Sequence, residues 1–236
     1  MIDLNEKPLC TIPRVMCWAV DNMELLKSQP NESVDLIYSD ILYGTGINFG
    51  EYQDLKPKRD VIESHYLPRL IEMKRVLKQN GSIYLQMDTR INHWMRILMD
   101  KVFGYDNFQN EIVWCYNTGG KQKNKYAMKH DVILFYTKSK KYTYNYIGLP
   151  RDTGTKSFGG KIGIDENGRK YQDKKHKYKY YRYYLDEPKN AEDWFTDINN
   201  LHSQANERNG YPTQKPKELI KRFVLASSNE GDVVAD

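Results

Sequence analysis

Asp40 ends an apolar run, Val34-Asp35-Leu36-Ile37-Tyr38, and is followed by Ile41, Leu42 and Tyr43. A carboxylate, a main-chain carbonyl one residue on and an aromatic ring three residues on can together activate a poor nucleophile. The exocyclic amine of adenine or cytosine is one, because its lone pair is delocalised into the ring. With Asp40 accepting one N–H and the Ile41 carbonyl the other, the nitrogen is drawn toward tetrahedral geometry and the lone pair is localised. Tyr43 would hold an extruded base by stacking. The competing reading is an ordinary strand end with a buried leucine and a packed tyrosine. A lone strand-end aspartate is most often a cap or turn residue. Asp21 and Asp236 close similar runs, and in doubly wound sheets ligands bind beyond the carboxyl ends of strands.

The elements that must position these residues alternate. Val15–Val20 reads as a strand ending at Asp21, then a helical stretch through Met23, Leu25 and Leu26. Val34–Tyr38 is a second strand, closed by a Gly-bearing turn at Gly44 and Gly46. Leu67, Leu70, Ile71 and Leu77 predict a helix over 63–79, stopped by Asn80-Gly81 in the left-handed conformation. Ser82–Met87 is a third strand with Asp88 at its end, and Ile91, Trp94, Met95, Leu98 and Val102 define an amphipathic helix. Strands over 111–116 and 131–137, a helix through Leu219, Ile220, Phe223 and Val224, and a strand begun at Gly231-Asp232 complete the pattern. Short strands alternating with helices predict an α/β, doubly wound and mostly parallel sheet with helices on both faces.

Between residues 137 and 193 that order dissolves into Lys, Gly and nine tyrosines. The chain's net charge is +5, yet residues 120–184 hold 17 Lys and Arg against 5 Asp and Glu. One basic module on an otherwise acidic body is an electrostatic footprint of nucleic-acid binding. Lys174, Lys175, Lys177, Lys179 and Arg182, interleaved with tyrosines, can neutralise phosphates while the rings stack or pack. The alternative is a solvated hairpin whose tyrosines cover a small local core. Gly119-Gly120-Lys121-Gln122-Lys123-Asn124-Lys125 is a glycine-hinged basic loop, with Lys121, Lys123 and Lys125 as candidate DNA contacts or simply a surface loop. No run reaches the roughly 18 apolar residues of a membrane span. Three cysteines without metal spacing suit a reducing cytoplasm, and five scattered histidines point to no metal site.

Asp40-Ile41-Leu42-Tyr43 with Thr213-Gln214-Lys215-Pro216 resembles the DNA amino-methyltransferases, whose hallmark is Asp/Asn/Ser-Pro-Pro-Tyr/Phe at a strand end. The order of the two segments is similar to the permuted β group, in which the catalytic half precedes the cofactor half, and the resemblance covers nearly the whole chain. It implies a Rossmann-like methyltransferase fold, circularly permuted, with an inserted target-recognition module. The parts would be 1–137 (catalytic), 138–195 (recognition) and 196–236 (start of the cofactor half). It implies S-adenosyl-L-methionine as cofactor, seated by Asp21, Asn22, Asp40, Thr213, Gln214, Lys215 and Asp236, and catalysis by Asp40, Ile41, Leu42 and Tyr43. Adenine N6 is the preferred target because Asp opens the tetrapeptide. N4-cytosine methylation, an inactive remnant that only binds DNA, or a related enzyme acting on RNA or a protein glutamine are the alternatives. Double-stranded DNA is the implied partner; a homodimer and a restriction endonuclease are analogies from the group. Two departures stand out. Ile41 and Leu42 replace the two prolines, which puts the rigidity of the loop in question. Relatives also continue with Phe-x-Gly-x-Gly, which does not follow Asp236, so the chain is expected to be truncated, to lack the strand between those at Asp232 and Asp21, and to bind cofactor poorly.

Overall fold

The computed structural model describes residues 10–12, 15–17, 20–48, 50, 52–117, 122–150, 162–202, 204–211 and 213–236. In chain order the elements are β1 (Cys10–Ile12), β2 (Val15–Cys17), α1 (Asn22–Ser28), β3 (Val34–Asp40), α2 (Arg59–Val76), β4 (Leu77–Met87), α3 (Asn92–Phe103), β5 (Phe108–Cys115) and β6 (His130–Thr137). There follow β7 (Gly148–Leu149), β8 (Ile162–Ile164), β9 (Lys170–His176), β10 (Lys179–Tyr184) and β11 (Lys189–Asn190). The chain continues with β12 (Trp194–Phe195), α4 (Lys217–Ser227) and β13 (Val234–Ala235). The main sheet has the order β12-β5-β6-β4-β3-β13. β13, β3 and β4 are mutually parallel and β12 is parallel to β5, while β6 runs antiparallel to both β4 and β5. With β6 alone reversed, this is the mostly parallel sheet that the alternation predicts.

Period-2 alternation sorts the sheet's side chains onto two faces. One face, with Ile37, Ile83, Leu85, Val132 and Leu134, packs against Ile62, Tyr66 and Leu70 of α2 and Met95, Leu98, Met99 and Phe103 of α3. The apolar residues of α3 recur at three- and four-residue spacing and make one stripe. Gly104, at φ +94°, ends that helix where a side chain would be strained. The other face carries Leu36, Tyr38, Tyr84, Ile133, Phe135, Ile112 and Trp114 against Leu219 and Phe223 of α4. Tyr84 stacks between Phe135 (4.4 Å) and Phe223 (4.5 Å), and its hydroxyl meets Ser227 Oγ at 2.7 Å. Each aromatic pair adds about 0.5–1.5 kcal/mol beyond burial, which seats α4 and the segment before it.

Two expectations are corrected. Asn80-Gly81 does not stop a helix: α2 ends at Val76 and both residues lie within β4. Gly81 is needed for close approach, since a Cβ there would sit 2.8 Å from the Asp35 carbonyl oxygen and from Leu77. A strand residue that must pass this near its neighbour is glycine for want of space, not for a positive φ. The strand within the run that reads as Val15–Val20 does not join the main sheet: Val15–Cys17 pairs antiparallel with Cys10–Ile12 in a separate two-stranded ribbon, a local closure that costs little chain entropy.

A second compact unit spans Tyr146–Glu192. It holds the β8-β9-β10 sheet and the β7–β11 pair. The expected module, 138–195, is wider at both ends. Residues 138–145 bond to the main body, as in Thr143 N–H to Asn80 O (3.1 Å) and Asn145 N–H to Ala226 O (2.7 Å), and Trp194–Phe195 joins the main sheet as β12. In the second unit β9 and β10 form a hairpin turning at Lys177-Tyr178, with Lys177 at φ +54°. Tyr171 crosses Gly163, where a Cβ would fall 2.5 Å from its ring.

Candidate active site

The sheet register assembles the site at the carboxyl edge of β3. Asp40 lies opposite Gln86 on β4, and Gln86 lies opposite Ile133 on the reversed β6. Alternation then puts Asp40, Gln86 and Asp131 on the face that carries Tyr38, Tyr84 and Ile133. Apolar side chains fill that face lower down; at its edge stands a polar cluster. Gln86 is fully buried and Asp131 is 4% exposed.

Every member of the cluster is bonded. The Tyr43 hydroxyl lies 2.7 Å from Asp131 Oδ2 and 3.0 Å from Asp40 Oδ1. Gln86 accepts from the Tyr38 hydroxyl at 2.7 Å and donates to Tyr43 Oη (3.2 Å) and Asp131 Oδ2 (2.9 Å). Tyr116 donates to Asp131 Oδ1 at 3.0 Å. Lys215 Nζ donates to Asp40 Oδ2 at 2.5 Å and to the Thr213 carbonyl at 3.2 Å, and stands 5.2 Å from the centre of the Tyr43 ring. Burial raises the Asp40 carboxyl above the usual carboxylate range and the Asp131 charge adds to this, while the Lys215 ammonium and the hydrogen bonds pull it back. Burial, reinforced by the Asp40 and Asp131 charges, pushes the Tyr43 phenol far above its ordinary value, so it keeps its proton.

The loop without its prolines is fixed by other means. Ile41 is buried among the α2 and α3 side chains, and its N–H donates to the Gln86 carbonyl at 3.1 Å, a bond no proline could make. The Leu42 carbonyl accepts from the Tyr66 hydroxyl at 3.3 Å. Asp54, 3% exposed, accepts from Gly44 N (3.1 Å), Thr45 N (2.7 Å), Thr45 Oγ1 (2.5 Å) and Leu55 N (2.7 Å). Asp54→Ala strands these four donors, and we expect it to cost at least about 2 kcal/mol in denaturant unfolding. Faster amide hydrogen exchange at Gly44 and Thr45 should accompany the destabilisation.

Of the remaining expected residues, Thr213 and Lys215 precede α4, and Asp236 follows β13, near enough to Asp40 for their charges to interact. Gln214 is bound into its own loop, accepting from Asn209 N and donating to the Glu207 carbonyl. Asp21 caps α1 through Met23 N and pairs with Arg69, which also bonds Asn22; among the described residues no hydrogen bond joins either to the Asp40 cluster. Lys123 and Lys125 are exposed, and Lys121 lies outside the described residues, as do Gly119, Gly120 and Pro212. Lys174, Lys175, Lys177, Lys179 and Arg182 gather on the β9–β10 hairpin. Arg182 is already paired with Asp173 at 2.9 Å and lies 3.6 Å over the Tyr171 ring. Sequence reasoning did not mark Gln86, Asp131 or Asp54. The only signal for Gln86 and Asp131 is a polar residue on the inward phase of an apolar strand.

The family model described as DNA methylase, covering the N6 and N4 enzymes, matches residues 34–236. The DNA adenine methyltransferase YhdJ of Escherichia coli (strain K12) is 31% identical over 219 residues, covering 92% of this chain and 68% of that protein. The type II methyltransferase M.HpaI of Haemophilus parainfluenzae is 31% identical over 220 residues, covering 91% of this chain and 60% of the relative. The chain thus spans about three-fifths to two-thirds of the length of these relatives. Among solved structures, the PvuII DNA methyltransferase (cytosine-N4-specific) shares the fold, with TM-score 0.62 at 14% identity over 98% of this chain and 76% of that one. With the model matched across the Asp40 strand, the cluster around it and the α4 segment alike, the chain belongs to the N6/N4 DNA methylase family.

Proposed function

We propose that the chain transfers a methyl group to an exocyclic amine of a DNA base, adenine N6 in preference to cytosine N4, with S-adenosyl-L-methionine as donor. The observation that carries this reading is Asp40, a partly buried carboxylate fixed by Lys215 at the carboxyl end of a parallel strand. The Ile41 carbonyl stands beside it and accepts no hydrogen bond among the described residues. Asp40 and that carbonyl would take the two amine hydrogens, and Tyr43, anchored by its hydroxyl, would offer a ring to the base. The donor set at this edge fits the cofactor: Asp236 and Asp40 suit an ammonium, and Thr213 stands in the adjoining segment. S-adenosyl-L-methionine supplies a sulfonium methyl there. Asp40 and the Ile41 carbonyl would hold the amine nitrogen toward that methyl, and Asp40 or water would take the proton the nitrogen loses. The segment order, with β3 preceding its parallel neighbour β13, supports a permuted arrangement.

Incubation with tritium-labelled cofactor and DNA, with RNA in parallel, tests the reading; label in N6-methyladenine is expected. Label confined to N4-methylcytosine corrects the target, and label only in RNA or nowhere overturns the reading. The hairpin lysines 174, 175, 177 and 179 would neutralise phosphates. Replacing all four with alanine should flatten the plot of log affinity against log salt by about 0.9 for each phosphate no longer neutralised. An unchanged slope removes the hairpin from the interface. By the same analogy the type II relatives suggest a companion endonuclease.

A further inference from the structure

The three-stranded sheet of the second unit has two unlike faces, and its registers say which residues share each. Tyr171 lies opposite Tyr184, Asp173 opposite Arg182 and Lys175 opposite Tyr180, so alternation puts these six on one face. That face is largely closed on itself. Arg182 pairs with Asp173 and lies over the Tyr171 ring. Arg169 pairs with Asp186 and Glu187 and lies 3.8 Å over the Tyr184 ring. Cations and acids therefore balance there, and the face is open at the turn end, where Lys175 and Tyr180 are exposed. On the other face Lys174 lies opposite Tyr181, Lys179 opposite His176 and Lys170 opposite Ile164, while Ile162 and Tyr183 flank Gln172. No acid stands at any strand position of this face. Its apolar side chains are open: Ile162 is 54% exposed, Ile164 64% and Tyr181 43%. Lys174 Nζ stands 5.5 Å from the centre of the Tyr183 ring and Lys179 Nζ 5.6 Å from that of Tyr181, which interleaves cations with aromatic surface.

We propose that this second face, and not the hairpin as a whole, is the surface that lies on duplex DNA. Lys170, Lys174 and Lys179 meet phosphates, and Tyr181, Tyr183 and Ile162 supply apolar contact. The inference deepens the DNA reading of the function and rests on it. Charge selects the occupant. A face of cations without an acid attracts a polyanion by releasing its counterions. A second copy of the chain would set the same cations against themselves in a two-fold contact, which repels. Exposed isoleucines and tyrosines set among lysines also mark a surface that gains by being covered. Of the hairpin lysines, the inference keeps Lys174 and Lys179, adds Lys170 from the foot of β9, and removes Lys175, which shares its face with Asp173.

The experiment measures affinity for a fluorescein-labelled duplex of mixed sequence by anisotropy across a salt series, with the folding of each variant checked by thermal melting. Lys174→Ala should flatten the plot of log affinity against log salt by about 0.9, the share of one phosphate, and Lys175→Ala by far less. The combined Lys170→Ala, Lys174→Ala and Lys179→Ala variant should flatten it by roughly three times as much. Tyr181→Ser should weaken binding several-fold at every salt concentration and keep the slope, because apolar contact releases no counterions. Tyr180→Ser is its control. That ring is 66% exposed but lies on the opposite face, so its loss should weaken binding less than Tyr181→Ser does. Equal flattening by Lys174→Ala and Lys175→Ala, or equal weakening by the two serine variants, overturns the inference. So does a parent that prefers RNA to duplex DNA, or a parent dimer that the triple variant turns into a monomer. A parent that binds and methylates no nucleic acid overturns the DNA reading together with the inference. A parent that methylates DNA while every face variant binds as it does overturns the inference alone.

Discussion

Asp40→Ala should lower the rate of methyl transfer at least about 10²–10³-fold, the drop that follows removal of one oriented transition-state partner. DNA affinity should barely move, because phosphate contacts, not this carboxylate, supply most of it. Both halves of the expectation come from position. Asp40 is the last residue of β3, bonded by Lys215 and Tyr43 at the carboxyl edge of the sheet. In the proposed reaction it would accept an N–H that strengthens as positive charge develops on the nitrogen. Single-turnover kinetics with the variant saturated in DNA and cofactor would isolate that step. A variant that methylates at the parental rate removes Asp40 from the chemistry.

Lys215→Met should move the acid limb of the rate profile to higher pH. Asp40 acts as an acceptor only when ionised. Burial already raises its pKa and Lys215 is the main opposing influence. Taking away an opposite charge in contact with a carboxylate raises the pKa further. The sign is then fixed: the protonated, inactive fraction grows at neutral pH, so the rate falls there and recovers as pH rises through the new value. If Lys215 served only to seat the cofactor, the limb would stay in place and KM for the cofactor would rise. Pre-steady-state rates across pH separate the two.

Much of the fold can be read from local residue patterns. The phase of Val34–Tyr38, the stripe Met95–Phe103 and the apolar run Val132–Tyr136 each give the right element, because local periodicity and burial agree there. Asn80-Gly81 misleads, since the dipeptide that ends helices is also what a crowded strand crossing requires; only the neighbour, Asp35, tells the two apart. Val15–Val20 misleads because a short apolar run does not say whether its partner lies next door or across the sheet. The tetrapeptide indicates Asp40 and Tyr43 but not what holds them. Asp131 is 88 residues from Tyr43 and Gln86 is 43 residues away, so their meeting depends on strand order and register, which no local pattern encodes. The question raised by the missing prolines has the same origin. Backbone rigidity can be supplied by a buried isoleucine, a ladder bond and the Asp54 clamp, and those interactions exist only once the chain is folded.

The reversal of β6 has a consequence for how such a site can change. Because β5 and β6 are antiparallel neighbours, the chain leaves β5 and enters β6 at one edge of the sheet, the edge that carries Asp131. The ends of the connection are pinned by the Tyr116 N–H to Lys129 carbonyl bond at 2.9 Å. Lengthening a connection closed in this way costs only about 0.6 kcal/mol per doubling, and neither strand has to shift register. Insertions can therefore accumulate beside Asp131 at little thermodynamic cost, while the cluster beneath them stays in place.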